Sequence, residues 1–343
     1  MNTIGSIPAS MRVSELLGID SLTVTDRPVP SPRADEVLVR VTSVGVCASD
    51  THYFTHGRIG PFVVEQPLVL GHEASGVIVA VGSDVDAERI GSRVSIEPQR
   101  PCRVCEQCKK GAYNLCPQMQ FFATPPIDGA FAEYVTIQAD FAHDVPDSVS
   151  ANAAALMEPL SVGVWACQKA QVTVGTRVLI AGAGPIGVIT AQVARAMGAS
   201  DVIVTDVSEE RLAFAAKHGA TRTLVAGEPI EEMSVDAFID ASGAAPAVRA
   251  GIPAVAPGGR VVLVGLGADE LMLPVNLLQN RELWLTGVFR YANTWPTAIE
   301  LVASGRVNLD VLVTHTFGLD EVEGALMAGR LPGALKAVVE PWR

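Results

Sequence analysis

Four of the six cysteines in the chain fall in one run, CRVCEQCKKGAYNLC, at positions 102, 105, 108 and 116. Thiolates at such short intervals suit a tetrahedral zinc ion, and four of them leave no coordination position open to substrate or water. A site made of Cys102, Cys105, Cys108 and Cys116 would fold a lobe without polarising an alcohol. The competing reading is a set of redox thiols or an empty lobe. A reactive metal needs other ligands. The candidates are Cys47 in GVCASDTHY, His72 and Glu73 in LGHEASG, and Glu158 in LMEPLSVG. Mixed sulfur, nitrogen and oxygen donors with one position left for water are what a catalytic zinc takes. Each also has an ordinary reading: a lone cysteine is usually a small buried apolar residue, and a His-Glu pair a satisfied core or surface pair. Asp50 is the carboxylate available to orient the His72 imidazole. Cys167, in VWACQKA on a helical pattern, reads as core.

A second chemical signal lies at 177–187, RVLIAGAGPIG, where Gly182, Gly184 and Gly187 follow an apolar strand and open a helix. The first glycine permits a tight turn, the second lets backbone N–H groups approach a pyrophosphate, and the third allows helix and strand to touch. The helix N-terminus adds partial positive charge for the phosphates. Asp206 ends the next strand, DVIVTD; a carboxylate there accepts hydrogen bonds from the adenosine ribose and repels a 2′-phosphate, which favours NAD over NADP. Arg211 either lies over the adenine or is an ordinary solvated helix residue.

These residues need two kinds of scaffold. Up to about residue 155 the texture is short strands and turns, with EVLVRVTSVGV, ASGVIVAVG and AEYVTI as β-rich runs. From 177 to 287 apolar strand-like runs alternate with helical patterns, which implies a parallel, doubly wound sheet. A helix is expected in TWPTAIELVASGRVN, a strand in VLVTHTF, and a last strand in LKAVVEPW returning to the first region. With 343 residues, 49% of them hydrophobic, the chain has material for two domains. We expect a discontinuous catalytic domain, 1–157 with 292–343, and a cofactor domain at 158–291, with the active site in the cleft between them. A net charge of −12 without Lys/Arg runs argues against nucleic acid or an anionic membrane as partner. The opening MNTIGSIPASMRVSELLG lacks the pattern of a signal peptide, and no apolar run reaches membrane-spanning length. Cysteines spaced for metal rather than for a disulfide framework point to a reducing, cytoplasmic setting.

Together, GVCASDTHY, GHEASG, the four-cysteine run, FFATPPIDGAFAEYV, MEPLSVG, AGAGPIG, VTDVSEERL and GVFRYANTWP resemble the zinc-dependent medium-chain dehydrogenase superfamily, in its sorbitol (polyol) dehydrogenase branch. The resemblance covers nearly the whole chain. It implies an α/β fold, with a GroES-like β-rich catalytic domain and a Rossmann cofactor domain. It implies two zinc ions per subunit: a catalytic one on Cys47, His72 and Glu73, with Glu158 bound directly or through its water, and a structural one on the four cysteines. Tyr53 and Phe121 match the pocket wall, with Phe122 as the alternative because FFATPP is one residue short; Arg290 and Tyr291 match residues that meet the polyol. For NAD the resemblance adds Pro185, Ile186, Val264, Leu266, Phe289 and Arg290 to the glycines and Asp206. The expected activity is oxidation of a secondary hydroxyl of a sorbitol- or xylitol-like polyol to a ketose, with NAD as hydride acceptor. The alternatives are another secondary alcohol, such as a vicinal diol or threonine, and a non-catalytic nucleotide-binding relative. Ser49 is placed to accept the hydroxyl proton, unless it is only a turn hydroxyl bonding its own backbone, and His52 offers the proton an exit. The family also implies a homo-oligomer, often a tetramer, and the apolar strand edge ELWLTGVF fits pairing between subunits.

Overall fold

The computed structural model describes residues 6–230 and 232–343. Residues 1–5, on which part of the signal-peptide reading rests, lie outside the described residues. The chain divides into two compact units, 1–158 with 309–343, and 159–308.

The first unit is built on a seven-stranded sheet. Its path runs Ala142–Asp144, Arg93–Ile96, Glu73–Val81, Glu36–Gly45, Lys336–Glu340, Val313–Gly318, and Tyr134–Gln138 also pairs with Glu36–Gly45. Glu36–Gly45 is buried almost throughout, as its run EVLVRVTSVG demands of a central strand with cover on both faces. The return strand Lys336–Glu340 inserts beside it, antiparallel, with Val338 opposite Gly45 and Val339 opposite Val44. On its other side Gly45 lies opposite Glu73. A hairpin of Ser10–Gly18 and Ser21–Pro28 pairs with Leu68–Val69 in a separate three-stranded sheet, and Leu16, Val39, Phe131 and Ile137 are among the fully buried core residues.

The second unit is a six-stranded sheet, parallel throughout, in the order Arg222–Val225, Asp201–Asp206, Arg177–Ala181, Val235–Asp240, Val255–Leu263, Trp284–Gly287. Counted along the chain this is 3-2-1-4-5-6, the doubly wound order expected from the alternating pattern. The switch between the two halves lies beside Arg177–Ala181, the strand that runs into the glycine turn. Leu179, Phe238 and Val261 fill its core.

The segment 292–308 groups with this second unit, so the contact boundary falls later than the expected 291/292. The reason is specific pairing. Gln192, on the helix Pro185–Ala196, donates Nε2–H to the Asn308 carbonyl at 3.2 Å and accepts the Asn308 N–H at 2.8 Å. Trp295, at the head of the helix Trp295–Ala303, is completely buried and lies against Tyr291, with ring centroids 5.2 Å apart.

Candidate metal and cofactor sites

Cys47, His72 and Glu73 come together although the sequence separates the first from the other two. Cys47 caps the helix Ala48–His56, and Glu73 opens its strand directly after the Gly71–His72 turn. Asp50, in the first turn of that helix and fully buried, ties the two segments. It accepts the Cys47 N–H at 3.0 Å and the Gly71 N–H at 3.0 Å. Its Oδ1 also lies 3.4 Å from His72 Nδ1. Burial works against charge on both side chains, but their mutual attraction and the backbone N–H groups outweigh it: Asp50 is held below its usual range and His72 well above. With Nδ1 turned to Asp50, Nε2 is left as the donor atom for a metal.

One ligand atom from each of Cys47, His72 and Glu73 lies within 4.8 Å of the other two. Glu158, buried at the start of the helix Met157–Lys169, stands outside that set. Glu73 is 1% exposed; its Oε1 accepts from Lys336 Nζ at 2.6 Å, and its Oε2 has no hydrogen-bond partner. A buried carboxylate oxygen without a donor is costly unless something electropositive meets it. A divalent cation does so, and a thiolate, an imidazole and a carboxylate are the donor set of an open zinc site.

Room for Glu73 comes from Gly45. A Cβ at that position would sit 2.0 Å from Glu73 Oε2 and 2.9 Å from Leu156 Cδ2. Gly45→Ala should therefore push Glu73 aside, cost about 1–3 kcal/mol through overpacking, and empty the site of metal. Denaturant melts and zinc counts check this, and an unchanged midpoint with full metal content would contradict it.

Lys336 is the functional-site residue that sequence reasoning missed. Burial disfavours its charge, but Glu73, Cys47 and Glu158 outweigh that and raise its pKa. The only sequence signal is a lone lysine at the head of an otherwise apolar terminal strand.

The four-cysteine run forms its own cluster, with all four Sγ atoms within 4.8 Å of one another. Cys105 and Cys108 Sγ are 3.4 Å apart and Cys102 and Cys108 Sγ 4.0 Å, bracketing the roughly 3.8 Å expected around tetrahedral zinc with Zn–S of about 2.3 Å. The backbone turns donate into the sulfurs, from Cys105 N to Cys102 Sγ and from Cys108 N to Cys105 Sγ, each at 3.4 Å. N–H groups of Val104 and Cys105 bring Cys102 down to about 6, while burial and neighbouring thiols push Cys108 up to about 12. Thiols crowded in this way resist shared ionisation, a resistance that a divalent cation removes. Below the lobe, the buried Glu97 carboxylate accepts from Tyr113 Oη at 2.8 Å and Gln99 Nε2 at 2.9 Å, and lies 3.0 Å from His143 Nε2.

The other expected residues of the first unit lie near the candidate centre in sequence or in space. Phe121 packs on His72 with ring centroids 5.7 Å apart, whereas Phe122 meets Arg100; Phe121 is thus the ring at the centre. Tyr53 is buried, and Ser49 is partly exposed in the first helical turn. His52 is exposed and, with Thr51, Phe54, Thr55, His56 and Met327, lines a cavity of about 670 Å³.

In the second unit Gly182 has φ +98°, a backbone conformation that favours glycine, and a Cβ on Gly187 would fall 1.8 Å from the Gly182 carbonyl oxygen. Gly184 has open space around it and caps the helix that Pro185 and Ile186 begin. These are the three glycine roles of a dinucleotide turn. Asp206 braces the same turn by accepting the Ala183 N–H at 2.6 Å, while its other oxygen accepts the Ser208 N–H at 2.9 Å at the head of the next helix. Arg211, Leu266 and Phe289 are exposed, Val264 is partly buried, and Arg290 lies over the Phe289 ring at 4.8 Å. Tyr291 is fully buried.

Comparison with known proteins agrees with both units. The alcohol dehydrogenase GroES-like domain model matches residues 33–147, and the zinc-binding dehydrogenase model matches 185–304. The sorbitol dehydrogenase of Bacillus subtilis is 41% identical over 331 residues, 94% of each chain. That of Homo sapiens is 45% identical over 315 residues, 89% of this chain and 88% of its own. The solved structure of L-idonate 5-dehydrogenase from Escherichia coli superposes with a TM-score of 0.91 at 28% identity, covering 96% of this chain and 98% of that one. A GroES-like unit with an open three-ligand cluster, joined to a doubly wound dinucleotide sheet, defines a zinc-dependent medium-chain dehydrogenase, and the chain belongs to that superfamily. Identity above 40% over most of its length places it, as the sequence led us to expect, in the sorbitol dehydrogenase branch. It is an oxidoreductase. Among the described residues no helix is long and apolar enough to cross a membrane.

Proposed function

We propose that the protein oxidises a secondary hydroxyl of a sorbitol- or xylitol-like polyol to a ketone, with NAD as hydride acceptor. The observation that carries this reading is the buried, partnerless Oε2 of Glu73 beside Cys47 and His72, in a chain whose relatives are named sorbitol dehydrogenases. Cys47, His72 and Glu73 hold the catalytic zinc, with Glu158 acting directly or through a water; the four cysteines hold the structural one. When bound, the catalytic ion makes the substrate hydroxyl more acidic and withdraws charge from its oxygen.

The chain's own residues do the rest. Ser49 accepts the hydroxyl proton, and exposed His52 passes it to solvent. Tyr53 and Phe121 wall the substrate; Arg290 and Tyr291 pair with hydroxyls on neighbouring carbons. A simple alcohol would leave such polar groups unpaired, which costs affinity and sets the preference for polyols. Gly182, Gly184 and Gly187 admit the pyrophosphate, and Asp206 takes the adenosine ribose. Pro185, Ile186, Arg211, Val264, Leu266, Phe289 and Arg290 complete the cofactor contacts.

The NAD preference rests on one carboxylate. Asp206→Ser should move the ratio of kcat/KM for NAD over NADP by about 10²-fold toward NADP, since charge repulsion against the 2′-phosphate disappears. Steady-state rates with both cofactors measure it; an unchanged ratio would remove Asp206 as the discriminator.

The whole reading is tested by following NADH absorbance over a panel of sorbitol, xylitol, 2,3-butanediol and threonine. Activity confined to the diol or to threonine would replace the polyol with those substrates. We also infer a homo-oligomer, tetrameric as in many family members, joined through the edge strand Trp284–Gly287, where Trp284 is 63% exposed. Mass measured in solution, before and after a charged substitution at Trp284, tests that. Thiols spaced for metal are in keeping with a reducing, cytoplasmic location.

A further inference from the structure

We propose that Lys336 is a positioning residue for the catalytic metal: its ammonium occupies one oxygen of Glu73, so that the carboxylate offers the ion a single oxygen. The inference rests on the metal site proposed above and goes beyond it, to a residue 263 positions away from its partner.

Three observations converge. Lys336 Nζ lies 2.6 Å from Glu73 Oε1, with the two side chains 6% and 1% exposed, so water does not compete for the contact. The second oxygen, Oε2, has no hydrogen-bond partner and is the atom nearest to a Cβ built on Gly45. The strand register accounts for the convergence. Val338 and Glu73 flank Gly45 on either side, and the Val46 N–H donates to the Ala337 carbonyl at 3.0 Å. Two residues back from Val338 and two residues on from Gly45 bring Lys336 level with Cys47.

A carboxylate can bind a metal through one oxygen or chelate it with both. Chelation by Glu73, added to Cys47 and His72, would fill the position that a substrate oxygen needs. A hydrogen-bonded ammonium on Oε1 blocks that mode and fixes the carboxylate plane, as outer partners of metal ligands generally do.

The test replaces only the exchangeable ion with cobalt, leaving zinc in the four-cysteine lobe. Four-coordinate cobalt absorbs visible light several-fold more strongly than five-coordinate cobalt. Wild-type protein and Lys336→Arg should show the intense spectrum. Lys336→Met should bind one cobalt per subunit with visible absorption lowered at least about two-fold, as Glu73 closes onto the ion with both oxygens. Lys336→Ala should recover the intense form when methylammonium is added. That recovery separates positioning from a general structural role, and stands in if the methionine variant fails to fold. Wild-type intensity in Lys336→Met, or no response of Lys336→Ala to the amine, overturns the proposal. Wild-type protein that takes up no exchangeable ion would instead sink the metal site itself.

Discussion

Cys47→Ser should leave the protein with one zinc per subunit instead of two and cut kcat/KM for polyol oxidation at least about 10³-fold, or roughly 4 kcal/mol of transition-state stabilisation. Serine suits this test because it removes the soft thiolate but keeps a good helix cap. Cys47 precedes the helix Ala48–His56, and Asp50 reaches back to its backbone N–H, a contact that serine preserves. The fold should therefore survive with a nearly unchanged melting temperature, and loss of activity would report the ligand alone. Metal analysis and turnover on the same preparation are the measurements. A fully active variant holding both ions would end the assignment of Cys47 as a ligand.

The second large effect is on stability. Cys105→Ser should empty the four-cysteine site, whose counterparts in small zinc modules bind with apparent free energies of about 10–16 kcal/mol. Apart from the thiols, the segment 102–116 is tied down chiefly through Arg103, which pairs with Asp140, and Tyr113, which meets Glu97 and the Phe141 ring. Its helix, Glu106–Lys109, is a single turn capped by Cys105 itself, and Val104 and Leu115 are exposed. Limited proteolysis should then cut within 102–116 at protease levels that leave the wild type whole, while the exchangeable ion stays bound. Resistance equal to wild type would mean that the contacts of Tyr113 and Arg103 suffice to hold the lobe without a metal.

What the sequence disclosed depended on distance along the chain. The glycine turn at 182–187 and the cysteines at 102–116 are legible because their chemistry is local: each set of partners lies within fifteen residues. The doubly wound sheet was legible for a related reason, since each apolar strand such as RVLIA or DVIVTD is followed at once by its helix. Cys47 and His72 are a harder case. Their spacing alone says little, and it was the resemblance across the whole chain that joined them. Lys336 and Gly45 were not legible at all. Their roles follow from which residues face each other across three strands, and that register depends on contacts between residues hundreds of positions apart. The hairpin from Ser10 to Pro28 escaped notice because one of its strands, SLTVTDRP, is only half buried and carries no clean alternation. The grouping of 292–308 with the second unit has no local signal either: nothing in the text of the sequence says that Gln192 clasps Asn308.

The place of Lys336–Glu340 in the middle of its sheet, between Glu36–Gly45 and Val313–Gly318, governs how the protein can be made. On the ribosome the nucleotide-binding half emerges whole and has all its strands to hand. The metal-binding half waits: Glu36–Gly45 lacks one of its partners until Lys336–Glu340 has left the exit tunnel. A nascent chain stalled before residue 336 would carry Cys47, His72 and Glu73 but lack the ammonium that meets Glu73 Oε1, so on the proposal above its carboxylate would be free to turn both oxygens to a cation.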